Sequence, residues 1–201
     1  MQADLKSEIR ACRLCAQRFA QTATAHSPNP VVWFDPSARI LIAGQAPGAR
    51  VHASGRPFSD PSGDRLRAWL GLSEAAFYDQ QRIAIVPMAF CFPGYDDAGS
   101  DLPPPRICAA QWHERVADVL PNVELKILVG GYAQRRHLGA KTGVTETVAN
   151  WRAFGNGVVP LPHPSWRNTG WLKKNPWFEQ EVLPFVRQRV AEVMDRDTDG
   201  T

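Results

Sequence analysis

The sequence predicts a three-layer α/β/α sandwich around a mostly parallel, four-stranded central sheet. Four short apolar runs, each typical of a buried strand, alternate along the chain with segments in which apolar residues recur at helical spacing; the runs are residues 39–43, 82–86, 125–129 and 157–161. Strands that alternate with helices form parallel sheets covered by helices on both faces. The length of 201 residues suits one well-cored domain. We therefore expect a single domain over residues 1–194, followed by a polar tail over residues 195–201.

The first helix is predicted over residues 3–20, where Leu5, Ile9 and Phe19 recur at about helical spacing. The stretch 44–63 is rich in Gly, Pro and Ser and is predicted as a long loop. Long ordered loops in compact domains are usually functional. This loop is therefore the first place to look for a site.

The later helices are predicted from apolar residues at helical spacing and from capping residues. Leu66, Trp69 and Leu70 predict one buried helix face, with Asp64 in the first turn, and Ser73 is expected to cap the next helix. Further helical segments are predicted from Ile107 to Leu120, over 132–138, over 144–150 and over 176–194.

Composition and charge narrow the class of protein. Hydrophobic residues at 44% and charged residues at 21% are ordinary globular values, which excludes wholesale disorder. No apolar stretch is long enough to cross a bilayer and the N-terminus lacks a signal-peptide pattern, so we expect an intracellular, cytoplasmic protein without a membrane partner. The net charge of +3 permits a polyanionic partner.

Two basic clusters suit phosphate contacts, and their members are Arg167, Lys173 and Lys174 in one and Arg135, Arg136 and Lys141 in the other. The first lies beside a His-containing loop. The second is interpreted equally well as an ordinary solvated surface.

The chain has four cysteines, Cys12, Cys15, Cys91 and Cys108. The first two have the Cys-x-x-Cys spacing of metal ligands. A reducing compartment argues against two disulfides. Four thiolates can hold tetrahedral zinc or an iron–sulfur cluster, and spacing alone does not decide between them. The alternative is four unrelated buried cysteines.

Two loops at strand ends carry the clearest motifs. Gly44-Gln45-Ala46-Pro47-Gly48 follows the first strand, and Pro162-His163-Pro164-Ser165 follows the last. Such loops present backbone N–H groups and a few polar side chains to a ligand. The pair, in this order and separation, resembles the uracil-DNA glycosylase superfamily. The cysteine arrangement and the segment Gly55-Arg56-Pro57-Phe58 are similar to its iron–sulfur (family 4/5-like) members.

The resemblance implies an enzyme that hydrolyses the N-glycosidic bond of deoxyuridine in single- or double-stranded DNA. It would act as a monomer in DNA base excision repair, associated with the nucleoid. It also implies a structural [4Fe-4S] cluster on the four cysteines, with zinc as the less favoured alternative.

By resemblance, His163 and the backbone around Gln45 donate to the departing base, and Phe58 stacks on it. The rest of the first motif, Gly44, Ala46, Pro47 and Gly48, is expected to line the base pocket. Ser165, Arg167 and Asn168 are expected to contact DNA, with Arg167 filling the gap in the duplex.

The chain also departs from the family pattern. Ala46 stands where one family has a catalytic Asp, Gln45 where the iron–sulfur families have Glu, and Pro87 where those families have the Asn that reads the pyrimidine. Asp60 is therefore the nearest candidate for the catalytic carboxylate, with His52 as a second candidate. Backbone groups of Met88 and Ala89 are expected to read the base instead.

Three other functions fit the same motifs. The enzyme could excise another deaminated base, such as hypoxanthine or xanthine, through a pocket reshaped at Pro87. The domain could bind uracil-containing or damaged DNA without catalysis. A zinc-stabilised nucleic-acid-binding domain is the third. Trp171, Trp177 and Phe178 are interpreted as packing residues in preference to DNA contacts.

Overall fold

The computed structural model describes residues 2–195, which fold around a sheet of four parallel strands. The strands are β1 (Ile40–Ala43), β2 (Ile83–Ile85), β3 (Leu125–Val129) and β4 (Val158–Leu161), in the spatial order β2-β1-β3-β4. Ile40 is in register with Ile83 on one side and with Leu125 on the other. The predicted strands are confirmed within a residue or two. The last six residues of the predicted tail, 196–201, lie outside the described residues.

The α-helices of the described chain are α1 (Gln2–Ala11), α2 (Ala16–Ala20), α3 (Ala49–Ser54), α4 (Pro61–Leu70), α5 (Glu74–Phe77), α6 (Arg106–Asp118), α7 (Gly130–Leu138), α8 (Val144–Ala149), α9 (Thr169–Lys174) and α10 (Leu183–Asp195). Short 3₁₀ turns span Trp151–Phe154 and Trp166–Asn168, and a π-helical turn spans Phe178–Val182. Within residues 2–195, no helix combines the length and the apolarity that crossing a membrane requires.

The sheet is buried on both faces, as expected for an all-parallel sheet. Alternate strand residues, such as Ile40 and Ile42, join one core cluster with α4, α8 and α10. The residue between them, Leu41, points to the other face and joins a second cluster with α1 and α6. The strands with helices on both faces confirm the predicted three-layer α/β sandwich.

Two predicted helices are interrupted. The segment 3–20 is not one helix, because the chain turns between Cys12 and Cys15 before α2 begins. The segment 176–194 opens with a π-helical turn ahead of Pro184. Proline lacks the N–H that a regular α-helical ladder needs, which accounts for the local change of pitch.

The predicted long loop 44–63 contains a helix that the sequence did not reveal. Helix α3 begins after Gly48 and ends at Gly55, which adopts the left-handed conformation that favours glycine (φ 67°). At six residues, α3 is too short and too rich in small and polar side chains to show a clear periodic pattern.

The order of the strands places a crevice at the carboxyl edge of the sheet. After β1 the chain passes to α4, on the face of the first cluster, whereas after β3 it passes to α7, whose Ala133 packs with Ala43 and Leu128 on the other face. Loops that diverge in this way from neighbouring parallel strands open a binding crevice between them. Both sequence motifs lie on this edge.

A close backbone contact fixes the start of α4. A Cβ atom added at Gly63 would lie 1.8 Å from the carbonyl oxygen of Phe58, which leaves no room for a side chain. We expect Gly63→Ala to lower the free energy of unfolding by about 2–3 kcal/mol, as overpacking against backbone does. Thermal or urea unfolding measures it. Gly170→Ala is the matched control, because nothing lies within 4 Å of its added Cβ. Equal stability of the two variants would contradict the assignment of this contact.

Candidate active site

A cavity of about 400 Å³ opens at the carboxyl edge of the sheet. It is lined by most of the residues that the sequence singles out, namely Gly44, Gln45, Ala46, Pro47, Gly48, Phe58, Asp60, His163, Ser165 and Arg167. The first motif reaches the cavity from the end of β1 and the second from the end of β4. The two motifs, 115 residues apart between Gly48 and His163, thus form one site.

The imidazole of His163 has a defined tautomer. The backbone N–H of Ser165 donates to its Nδ1 at 3.2 Å. Since a backbone N–H can only donate, Nδ1 carries the lone pair, and the proton of the neutral ring sits on Nε2. Burial lowers the pKa of His163 below its ordinary value of 6.5, and the charge of Asp60 partly offsets this. A neutral ring with an Nε2–H donor is therefore held at the cavity.

The loop around His163 is fixed from two sides. The side-chain amide of Asn168 donates to the His163 carbonyl at 2.7 Å, and Arg65 on α4 donates to the Ser165 carbonyl at 2.9 Å. Behind the ring lies Gly130, whose φ of 80° suits only glycine and whose added Cβ would be 3.7 Å from the His163 Cβ. The imidazole is thus positioned by the ends of β3 and β4 and by α4.

Phe58 is held in a conformation that L-residues rarely adopt, with φ 52°. Its carbonyl accepts hydrogen bonds from the Tyr78 hydroxyl at 3.0 Å and from Arg67 at 3.3 Å. Its half-buried ring packs edge-on against Phe77 and stands over Gly44, whose added Cβ would lie 3.5 Å from Phe58 Cζ. Backbone strain that neighbours hold in place is common at functional sites. These contacts hold the Phe58 ring at the cavity, beside the first motif.

Asp60 lines the cavity but also has a structural role. It is the N-cap of α4, where its Oδ1 accepts from the Gly63 N–H at 3.1 Å. Asp64 lies in the first turn of the same helix, as predicted. Of the two, Asp60 is the carboxylate that lines the cavity.

Four of the predicted residues are not brought into this cavity. Met88 and Ala89 are buried in the core, and their N–H groups donate to the carbonyls of Gly44 and Gln45. Their N–H groups thus pair with the first motif, and Pro87 is the residue of this segment that lines the cavity, so a role of Met88 and Ala89 in reading the base stays a prediction. Asn168 holds the His163 loop and lines a neighbouring cavity together with Gly131 and Trp171, and its contact with DNA stays a prediction.

The fourth is His52, which packs against His26 and Phe92 with ring centroids 5.1 and 6.0 Å away. Its Nδ1 is buried without a hydrogen-bond partner among residues 2–195. Burial, and then the neighbouring His26, lower the pKa of His52. It packs toward the segment after Cys91 and does not line the cavity, whereas Asp60, the first candidate, does.

Other cavity residues were missed by the sequence analysis. Trp166 stands at the rim with 72% of its surface exposed, and Arg167 lies over its ring with the guanidinium carbon 5.9 Å from the centroid. Tyr95, Asp101 and Arg50 also line the cavity. A large exposed aromatic directly after a His-Pro-Ser motif is a signal that could have identified Trp166.

The aromatic segment 168–178 packs as predicted. Trp171, Trp177 and Phe178 contact one another edge to face, and Phe178 also packs on Trp69 at 5.0 Å. This explains the segment as a structural element that supports α9.

The four cysteines line one small apolar cavity of about 20 Å³. The Phe90 N–H donates to Cys108 Sγ at 3.4 Å, and the Asn29 backbone bonds the Cys91 thiol. Burial raises the pKa of Cys91 to about 12 and of Cys108 to about 11, and the other cysteines add to both shifts. The thiols of Cys91 and Cys108 therefore disfavour negative charge unless a cation shares the site. Over residues 2–195, no three or more His, Cys, Asp or Glu side chains are grouped closely enough to hold a metal ion.

The fold and the cavity define an α/β domain that binds its ligand where the loops after neighbouring parallel strands diverge. Comparison with known protein families matches residues 31–187 to the Uracil DNA glycosylase superfamily. The match covers well over half of the chain, and the chain therefore belongs to the uracil DNA glycosylase superfamily. Membership indicates a DNA glycosylase that acts in DNA repair. Cys12 and Cys15 precede the matched range.

The state of His163 can be measured by NMR of the imidazole nitrogens. We expect Nε2 protonated and Nδ1 unprotonated at neutral pH, with a titration midpoint below 6.5. An unfolded chain takes up this proton at the ordinary pKa, whereas the folded protein resists it, so the contribution of His163 to stability falls as the pH drops below 6.5. A protonated Nδ1 at neutral pH, or a midpoint above 6.5, would contradict the assignment.

Proposed function

We propose that the protein is a uracil-DNA glycosylase, which hydrolyses the N-glycosidic bond of deoxyuridine in DNA and leaves an abasic site. The observation that carries the proposal is the Nε2–H of His163 in the same cavity as the glycine-flanked loop that follows β1. A base inside duplex DNA must be extruded to reach such a cavity. Phe58 provides a ring on which the extruded base can stack.

The chemistry requires stabilisation of the leaving group. When the bond between C1′ and the base breaks, negative charge develops on the base, and a fixed donor in a partly dry site stabilises it. Nε2 of His163 is such a donor. The Gln45 N–H is a second, because residues 2–195 offer it no acceptor. One donor of this kind is worth about 100- to 1,000-fold in turnover.

The rim of the cavity suits a nucleic acid. Arg50 and Arg167 supply positive charge for phosphates, and Ser165 lies between the cavity and the 3₁₀ turn that carries Trp166. The exposed ring of Trp166 can stack on a base, and Arg167 over that ring can contact phosphate at the same time. We therefore assign DNA contact to Trp166 together with Arg167.

Pro87 supports hypoxanthine or xanthine as a second candidate substrate. It lines the cavity without an N–H or a polar side chain, and its carbonyl accepts from the buried His113 at 3.0 Å. Because Pro87 has no side-chain donor or acceptor to hydrogen-bond the edge of a pyrimidine, this wall of the cavity discriminates less between bases. Uracil is favoured, because the chain carries both motif loops and belongs to the uracil DNA glycosylase superfamily.

The test is a single-turnover assay with oligonucleotides that carry deoxyuridine, hypoxanthine or xanthine, single-stranded and duplex, followed by alkaline cleavage. We expect cleavage at uracil, and we expect His163→Ala to lower the rate by at least about 100-fold. His137→Ala is the control, since His137 lies exposed at the other end of α7.

Other outcomes would replace the proposal. Faster release of hypoxanthine or xanthine than of uracil would favour the second candidate. Tight binding of uracil-containing DNA with no abasic product would identify a non-catalytic binding module.

We further propose that the protein belongs to the iron–sulfur branch of the superfamily and that Cys12, Cys15, Cys91 and Cys108 hold a [4Fe-4S] cluster. The donor set supports this, because all four thiols line one apolar cavity and two of them receive backbone N–H groups, as cluster sulfurs do. When bound, the cluster would join the α1–α2 turn to the segment 91–108.

The cofactor is tested by metal and acid-labile sulfide analysis of protein purified without oxygen. We expect iron and sulfide in equal amounts and a brown preparation, both lost in Cys91→Ser and Cys108→Ser. Leu14→Ala is the control, because Leu14 lines the same cavity without a ligand atom. Stoichiometric zinc without iron, or a metal-free wild-type protein, would contradict the proposal.

A further inference from the structure

The cavity contains a carboxylate from a loop outside both motifs. Asp101 lines it together with Asp60, His163 and Arg167. The two aspartates reach the cavity from separate segments, one ahead of α4 and one ahead of α6. The charge of Asp60 influences both His163 and Asp101, and the charge of Arg167 influences Asp101. The reacting part of a bound nucleotide would therefore lie close to two carboxylates.

The two carboxylates have different bonding. Asp60 Oδ1 accepts from the Gly63 N–H in the first turn of α4, which Asp60 caps. The Asp101 carboxylate has no hydrogen bond and no ion pair among the residues that the structure describes. A carboxylate without a partner is free to accept a proton from a bound water, whereas one that caps a helix is held by its donor.

The backbone that carries Asp101 is well defined, although it lies on the surface. Tyr95 and Asp101 form an antiparallel bridge, and the Leu102 N–H donates to the Gly94 carbonyl at 2.9 Å. Between them, Asp96 Oδ1 accepts from the N–H groups of Ala98 and Ser100, at 3.0 and 2.8 Å. This small hairpin, residues 94–102, orients Asp101 toward the cavity.

In sequence the hairpin lies between Cys91 and Cys108, which both line the apolar cysteine cavity.

We propose that Asp101 is the carboxylate that activates the attacking water, the role left open by Ala46. In this step the bond from C1′ to the base nitrogen breaks and its electron pair leaves with the base. The water oxygen bonds to C1′, and the water proton passes to Asp101. The proposal rests on the proposed glycosylase function and adds a residue to it.

The environment of Asp101 agrees with a base. Partial burial raises its pKa, Arg167 lowers it, and Asp60 raises it again. A raised pKa makes the carboxylate a stronger proton acceptor. It also moves the acid limb of the pH–rate profile to higher pH than an ordinary aspartate would give.

The experiment compares Asp101→Asn with the wild type in single-turnover cleavage of a deoxyuridine oligonucleotide across pH. We expect the rate of the variant to fall by about 100-fold, the usual scale for general-base catalysis, and its acid limb to disappear. Affinity for an oligonucleotide that carries a non-hydrolysable 2′-fluorinated deoxyuridine should stay within about twofold. Asp97→Asn is the matched control, because it makes the same change at an exposed position of the same hairpin outside the cavity lining.

Asp60→Asn is the second comparison, since Asn caps a helix as well as Asp does and keeps α4 intact. Loss of the acid limb in Asp60→Asn but not in Asp101→Asn would overturn the assignment. So would an Asp101→Asn variant with unchanged rate and pH profile, or one whose defect lies in binding alone. A wild-type protein that releases no base from any oligonucleotide overturns the proposed function and, with it, the role of Asp101.

Discussion

The parallel pairing of β1 with β3 is the constraint on which the rest of the structure depends. These two central strands pair along four residues, and the chain leaves their carboxyl ends toward opposite faces of the sheet. The crevice between the two exits receives the first motif from β1, while Gly130 after β3 lies next to the side chain of His163. Without this divergence, the N–H of Gln45 and the imidazole would not share a cavity.

Helix α4 connects the two halves of the site. From its first two turns, Arg67 fixes the carbonyl of Phe58 and Arg65 fixes the carbonyl of Ser165. Gly63 lets the same helix approach the Phe58 backbone closely. Helix α4 thus holds the backbone next to both the Phe58 ring and the His163 imidazole. A preorganised site needs its groups held by one rigid element in this way.

The sequence was sufficient for the architecture and for the two motif loops, because buried strands and glycine- or proline-framed turns leave local patterns. It could not place residues whose position depends on tertiary contacts. His52 lies in the first loop, but its ring packs against His26. Met88 is buried, and its N–H donates to the Gly44 carbonyl. Asp101 lines the cavity from a hairpin that includes its bridge with Tyr95, a contact that leaves no periodic pattern in the sequence. The break between α1 and α2 is likewise set by a turn with no glycine or proline to mark it.

Trp166 has a further consequence for how the protein can be observed. Its indole is 72% exposed, whereas Trp69, Trp112 and Trp151 are almost fully enclosed. An indole in water emits at longer wavelength than one in a protein interior, and stacking on a nucleobase quenches that emission. Binding of a polynucleotide at the rim should therefore lower the long-wavelength part of the intrinsic tryptophan fluorescence. The binding step can then be followed without a label, before any bond is broken.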